Sequence, residues 1–185
     1  ILRGLHVDAS GEAPKPADNT AHSIAVFGHR PPELGGYGEN STTLSIRRRM
    51  IELFRAKAQM HPDLEVITGL GLGAEMLGAE AAAAAAVPYR VILAFDGMEE
   101  RWPDATQKRF HELLSAALSI AIASDETPNT GDEFGKAMGR RDDEIIRSAN
   151  EAIVVRDPKD RTLGALQKKL ERQFEEDVWI IEPDQ

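Results

Sequence analysis

Cysteine is absent from these 185 residues. That excludes a disulfide scaffold, a thiolate metal centre and a cysteine nucleophile. No uninterrupted apolar run approaches the ~20 residues a membrane-spanning helix requires. No charged-then-apolar leader is visible, so a cytoplasmic location with no membrane partner is expected. Basic residues are outnumbered: 22 lysines and arginines face 31 aspartates and glutamates, a formal net charge of −9. An acidic surface repels a phosphate backbone, which argues against nucleic acid as a partner. What is present is core material. At 42% hydrophobic residues the chain can build one domain with a sizeable interior but not two.

The stretch with the most chemical content is Thr68-Gly69-Leu70-Gly71-Leu72-Gly73-Ala74-Glu75. It follows the apolar run Leu64-Glu65-Val66-Ile67 and precedes an alanine-rich helical run from Met76 to Ala86. Strand, glycine-rich turn and helix in that order aim backbone N–H groups at whatever lies above the turn, and the helix dipole favours an anion there. A second such turn follows Ile24-Ala25-Val26-Phe27, at Gly28-His29-Arg30-Pro31. Two anion-accepting turns predict a phosphate-bearing ligand such as a nucleotide.

Residues 1–22 carry Gly11, Pro14 and Pro16 among small polar residues and read as an arm or linker. Residues 23–185 read as a single domain, with strands expected near 23–27, 64–68, 89–94, 119–123, 151–155 and 177–181. Ile46, Met50, Leu53 and Phe54 form one helical stripe; Leu163, Leu166, Leu170 and Phe174 form another. Asp104 to Gln107 has the pattern of a capping box. Strands this apolar are covered on both faces, which implies crossover helices. The fold class is therefore α/β, a Rossmann-like three-layer sandwich with a mainly parallel sheet of about six strands. In such a fold ligands bind beyond the carboxyl ends of the strands.

Gly28-His29-Arg30-Pro31 with Glu33-Leu34-Gly35 resembles the opening motif of the YpsA-like branch of the SLOG superfamily (Smf/DprA–LOG). The Thr68–Glu75 turn followed by Ala79-Glu80 is similar to the family's glycine turn and Ala-Glu pair. Ala94-Phe95, Trp102-Pro103 and Arg141-Asp142 ahead of Asn150 match its later segments in order. The resemblance covers roughly residues 23 to 156 and implies a sensor or processor of nucleotides or nucleotide-derived ligands. The Pro-Gly-Gly-x-Gly-Thr sequence of the LOG enzymes is missing, so their catalytic set does not carry over.

The expected ligand contacts are Gly28, His29, Arg30, Thr68, Gly69, Gly71, Gly73, Glu75, Phe95, Trp102 and Arg141. Guanidinium suits bidentate phosphate binding, which favours Arg30. His29 serves either the ligand or a loop carbonyl. Glu75 would repel a phosphate directly above it, so a ribose hydroxyl is its expected partner. Arg141 shares a helical stripe with Phe134, Met138 and Ile145 and needs a counter-charge, an aspartate or, preferably, a ligand phosphate. Trp102 is either core packing or a wall for a base. Glu80 points away from Glu75 and is expected to meet a loop or a neighbouring subunit of a homo-oligomer. Arg47-Arg48-Arg49 reads as a solvated helix face.

The function these residues predict is binding of a nucleotide, ADP-ribose or an NAD-like ligand as a sensor or regulatory module. The alternative is a hydrolase cleaving an N-glycosidic or phosphoester bond, with Glu75 or Asp96 as the candidate carboxylates. A DprA-like nucleic-acid-binding protein ranks third. No metal centre and no obligatory cofactor other than the nucleotide ligand are expected.

Overall fold

The computed structural model describes residues 21–183, so the arm assigned to 1–22 lies, except for its last two residues, outside the described residues. Six strands alternate with helices: β1 (Ser23–Gly28), α1 (Ser41–Met60), β2 (Glu65–Thr68), α2 (Ala74–Ala84), β3 (Tyr89–Leu93), α3 (Asp104–Ala116), β4 (Ser119–Ile122), α4 (Gly131–Ser148), β5 (Glu151–Val155), α5 (Gly164–Phe174) and β6 (Val178–Ile181). A 3-10 turn, Pro31–Leu34, follows β1. Every strand pairing is parallel, in the order β4-β3-β2-β1-β5-β6. The chain winds from β1 out to β4, then crosses back over the sheet to β5. The direction of winding therefore reverses at β1, which lies between β2 and β5.

That reversal puts the helices on both faces. Ile24, Val26, Val66 and Val91 face α1, α2 and α3 through Ile46, Met50, Phe54, Met76 and Phe110. Ala25, Phe27, Ile67 and Val154 face α4 and α5 through Ile145, Ile146, Leu170 and Phe174. Each large apolar side chain fully withdrawn from water contributes roughly 1.5–3 kcal/mol. Helix α2 carries no large residue over much of the surface it lays on the sheet. Ala74, Ala79, Ala81 and Ala82 are buried, and a Cβ added at Gly78 would lie 2.7 Å from Val26 Cγ1.

Local signals explain the helix starts. Asn40 accepts the Thr43 N–H at 3.0 Å while Thr43 Oγ1 accepts the Asn40 N–H at 2.9 Å, a reciprocal cap for α1. Thr130 Oγ1 accepts the Glu133 N–H at 3.2 Å and caps α4. The capping box expected at Asp104 does not form. Pro103 is the cap residue of α3, and Gln107 turns outward to donate to the carbonyls of Glu100 and Trp102. The expectation of strands covered on both faces holds for β1 and β5 but not for β4, an edge strand on which Ile120 and Ile122 are 47% and 43% exposed.

Glu151 opens β5 at the end of the sheet remote from the strand C-termini. It is buried, with Lys57 Nζ 2.5 Å from Oε2 and the Trp179 indole N–H donating at 2.8 Å. Burial alone would raise its carboxyl, but hydrogen bonds from Lys57, His22 and Trp179 outweigh burial and hold it below its ordinary 4.5. A depressed folded value means that the stability it contributes is present above 4.5 and lost as pH falls through the folded value. Glu151→Gln should therefore melt well below the parent at pH 7, and the gap should close below about pH 4.5. Melting curves of both proteins from pH 7 to pH 3 check this; a gap independent of pH would refute it.

Candidate functional site

The glycine turn lies beyond the end of β2, beside the loop that leaves β1. Its torsions are held by an internal network. Thr68 Oγ1 donates to the Glu75 carbonyl at 2.9 Å and accepts the Leu70 N–H at 3.1 Å. The Gly71 N–H donates to Glu75 Oε2 at 2.7 Å. The Ala74 N–H donates to the His29 carbonyl at 3.0 Å, tying α2 to the first turn. Gly73 adopts φ +93°, and a Cβ there would lie 2.4 Å from the His29 carbonyl oxygen. The anion that reaches this turn is thus the protein's own Glu75 carboxylate.

Glu75 meets Arg141 from the other side of the sheet. Nη1 donates to Oε2 at 3.0 Å and Nη2 to Oε1 at 2.9 Å, while Nε and Nη2 also donate to Asp142 Oδ1 at 3.0 and 2.7 Å. Both members of the forked pair are buried. Burial raises the Glu75 carboxyl, the Asp142 charge adds to the rise, and Arg141 and the Gly71 N–H oppose it. Burial would lower the Arg141 guanidinium; Glu75 and Asp142 outweigh it and hold it above its ordinary value. One cation among two carboxylates leaves this cluster net negative. The ligand phosphate expected for Arg141 is replaced by these two carboxylates. Gly69 packs on the same guanidinium: a Cβ there would lie 2.6 Å from Nη1.

Above these groups a cleft of about 200 Å³ opens at the reversal point of the sheet. Gly28, Arg30, Gly71, Glu75, Trp102 and Arg141, all expected from sequence, line it. Its apolar wall comes from Met98, Phe134, Met138, Leu163 and Leu166, none of which was singled out as a contact. The stripe linking Phe134, Met138 and Arg141 was the available signal. Trp102 packs edge-on against Phe110 with centroids 5.4 Å apart, so one part of its ring is core while the residue also lines the cleft. Arg30 is exposed and has no ion-pair partner among the described residues.

The remaining expected contacts do not line this cleft. His29 is buried, and its Nε2 accepts the Asp157 N–H at 3.0 Å, joining the β1 and β5 loops. Phe95 stands edge-on to Phe134 at 5.9 Å and braces it. Thr68, Gly69 and Gly73 shape the turn. Asp96 is exposed and outside the cleft. Glu80 reaches neighbouring helices, pairing with Arg47 at 3.4 Å and with Arg109.

A family model described as the YspA SLOG family (YpsA) matches residues 24–184. The chain belongs to the YpsA SLOG family. No curated protein matches its sequence. This SLOG domain shares its fold with DNA processing protein A from Helicobacter pylori, studied for its single-stranded DNA binding mode, with a TM-score of 0.56 at 15% identity over 90% of this chain and 67% of that one. DNA processing protein A from Streptococcus pneumoniae gives a TM-score of 0.45 at 10% identity over 87% and 58%, so the SLOG domain spans less than two thirds of that protein. The Moco carrier protein from Chlamydomonas rheinhardtii gives 0.35 at 13% over 88% and 90%.

The first of these matches corrects the reading of charge. Nucleic acid was set aside because the chain carries a net −9, yet a protein that binds single-stranded DNA is built on this fold. Affinity for a phosphate chain depends on where cations stand, not on their total. Net charge therefore does not exclude that class of partner. Among the described residues no helix is long and apolar enough to cross a membrane.

Proposed function

We propose that this SLOG domain binds a nucleotide or nucleotide-derived ligand in the cleft at the sheet reversal. The observation that carries the reading is the pairing of an aromatic and thioether wall (Trp102, Phe134, Met98, Met138) with an exposed guanidinium, Arg30, that has no ion-pair partner among the described residues, in the same cleft. A base lies against the wall; a phosphate meets Arg30 in charge-assisted hydrogen bonds. The carboxylates of Glu75 and Asp142 disfavour a phosphate beside them and suit a ribose hydroxyl. Binding is better supported than hydrolysis, because both Glu75 oxygens are already held by Arg141 and Asp96 stands outside the cleft. The same wall and cation would also take a base of single-stranded DNA, since stacking on an aromatic face tolerates any base.

The test is a thermal-shift and calorimetric panel of mononucleotides, ADP-ribose, NAD and a short single-stranded oligonucleotide. A ligand that binds only the folded state raises the melting temperature by mass action. Arg30→Ala should weaken the best ligand by roughly one to two orders of magnitude, and Arg48→Ala, on the exposed face of α1, should not. Equal losses would mean bulk charge rather than a site. No shift with any member of the panel would overturn the reading.

A further inference from the structure

A second cluster lies at the opposite end of the sheet from the cleft. His22, just before β1, and His61, the cap residue at the end of α1, stack their rings in parallel, with centroids 3.7 Å apart and planes 5° from one another. Glu151 lies beneath them, its Oε1 2.5 Å from His22 Nε2. One ring nitrogen from each histidine and one Glu151 oxygen all lie within 4.8 Å of one another. The three residues come from separate parts of the chain, His22 and Glu151 being 129 positions apart. No sequence spacing could have announced them, and the expectation of no metal centre was formed without sight of them.

We infer that His22, His61 and Glu151 form a binding site for a divalent transition-metal ion of the zinc, nickel or copper type. Two imidazoles and one carboxylate are the donor set that borderline metals accept, with water completing the shell. Metal–nitrogen bonds of about 2.0–2.1 Å place tetrahedral donors about 3.3 Å apart. Donors no more than 4.8 Å apart need shifts of at most about an ångström and a half to reach that spacing, with the His22 Nε2–Glu151 Oε1 pair opening from 2.5 Å. His61 can supply that movement, since it is half-buried and ends its helix at the surface. The carboxylate is already ionic: its other oxygen is held by Lys57 and by the Trp179 indole, and Lys57 also lies over the Trp179 ring at 4.7 Å. Lys57 orients the donor but opposes the incoming charge. The bound ion ties the entry of β1, the end of α1 and the start of β5 at one point. Its role would be structural, because it joins three separate segments of the fold at one point.

The experiment uses the full chain free of any histidine tag, titrated with nickel or zinc by calorimetry. One equivalent should bind, and metal at a hundred times its Kd should raise Tm by roughly 5–10 °C. His61→Ala, folded as judged by its metal-free melt, should bind at least about tenfold more weakly, while His111→Ala, altered at an exposed histidine outside the cluster, should bind as the parent does. Lys57→Gln should bind more tightly, an opposite sign that damage to the fold cannot imitate. Trp179 fluorescence should be quenched by copper in the parent and much less so in His61→Ala. No saturable uptake, unchanged affinity in His61→Ala, or loss in His111→Ala alone would overturn the assignment.

Discussion

Arg141→Met should lower the unfolding free energy by about 3–5 kcal/mol, the usual cost of stranding a buried charge. The substitution keeps the length of the side chain and most of its packing volume. It removes the fork that satisfies both Glu75 oxygens and the contact to Asp142 Oδ1. Glu75 would retain the Gly71 N–H but would lie buried beside a second carboxylate. Denaturant unfolding measures the loss directly, with Arg48→Ala as an exposed comparison expected to stay within about 0.5 kcal/mol. Adding Glu75→Gln should recover part of the loss, because glutamine still accepts from Gly71 without carrying a charge. A coupling of about 0.5–3 kcal/mol is expected for groups in such direct contact. Parental stability in Arg141→Met would mean that the pair is solvated and that its guanidinium is available to a ligand after all.

Gly73→Ala should be comparably damaging, for two separable reasons. A non-glycine residue held at φ +93° carries strain of roughly 1–3 kcal/mol. The added methyl would also lie 2.4 Å from the His29 carbonyl oxygen and 2.9 Å from Arg30 Cα, both backbone atoms that cannot swing aside. Gly36 provides the control: its φ is +111°, but a Cβ there meets nothing within 4 Å. Gly36→Ala reads torsional strain alone, and the difference between the two variants reads the overlap. Gly73→Ala should unfold at clearly lower denaturant than Gly36→Ala. Equal midpoints would show that the β1 loop yields, and would return this glycine to the role of a ligand cradle.

The strands were legible because each apolar run is short and bounded by turn residues. All six fall within two residues of their expected limits. The parallel sheet followed from the alternation of strands with helical stripes. The exposure of β4 did not, because Ser119-Ile120-Ala121-Ile122 is as apolar as a central strand and only its place in the sheet order leaves it at an edge. At the site, residues adjacent to strand ends were found by the rule that ligands gather there. Their partners were not. Glu75 and Arg141 are separated by 66 positions and lie in helices on opposite faces of the sheet, so nothing local joins them. A glycine-rich turn announces that an anion will be held, but the sequence cannot say that the anion belongs to the protein itself. The Leu163 and Leu166 stripe was legible as packing, and the fold uses the same side chains to wall the cleft.

Apart from Met76, helix α2 rests on the sheet through glycine and alanine, residues with no side-chain rotation to adjust. Cores built from leucine or methionine absorb small displacements by changing rotamer; where Gly78 meets Val26 this contact has no such play. Its gauge is set by backbone thickness and one methyl. Because Glu75 stands in the first turn of that helix, the depth of the carboxylate is machined into the layer beneath it rather than tuned by its neighbours. A single methyl at Gly78 would lift the helix and carry the carboxylate with it, acting on the Arg141 pair without touching either member.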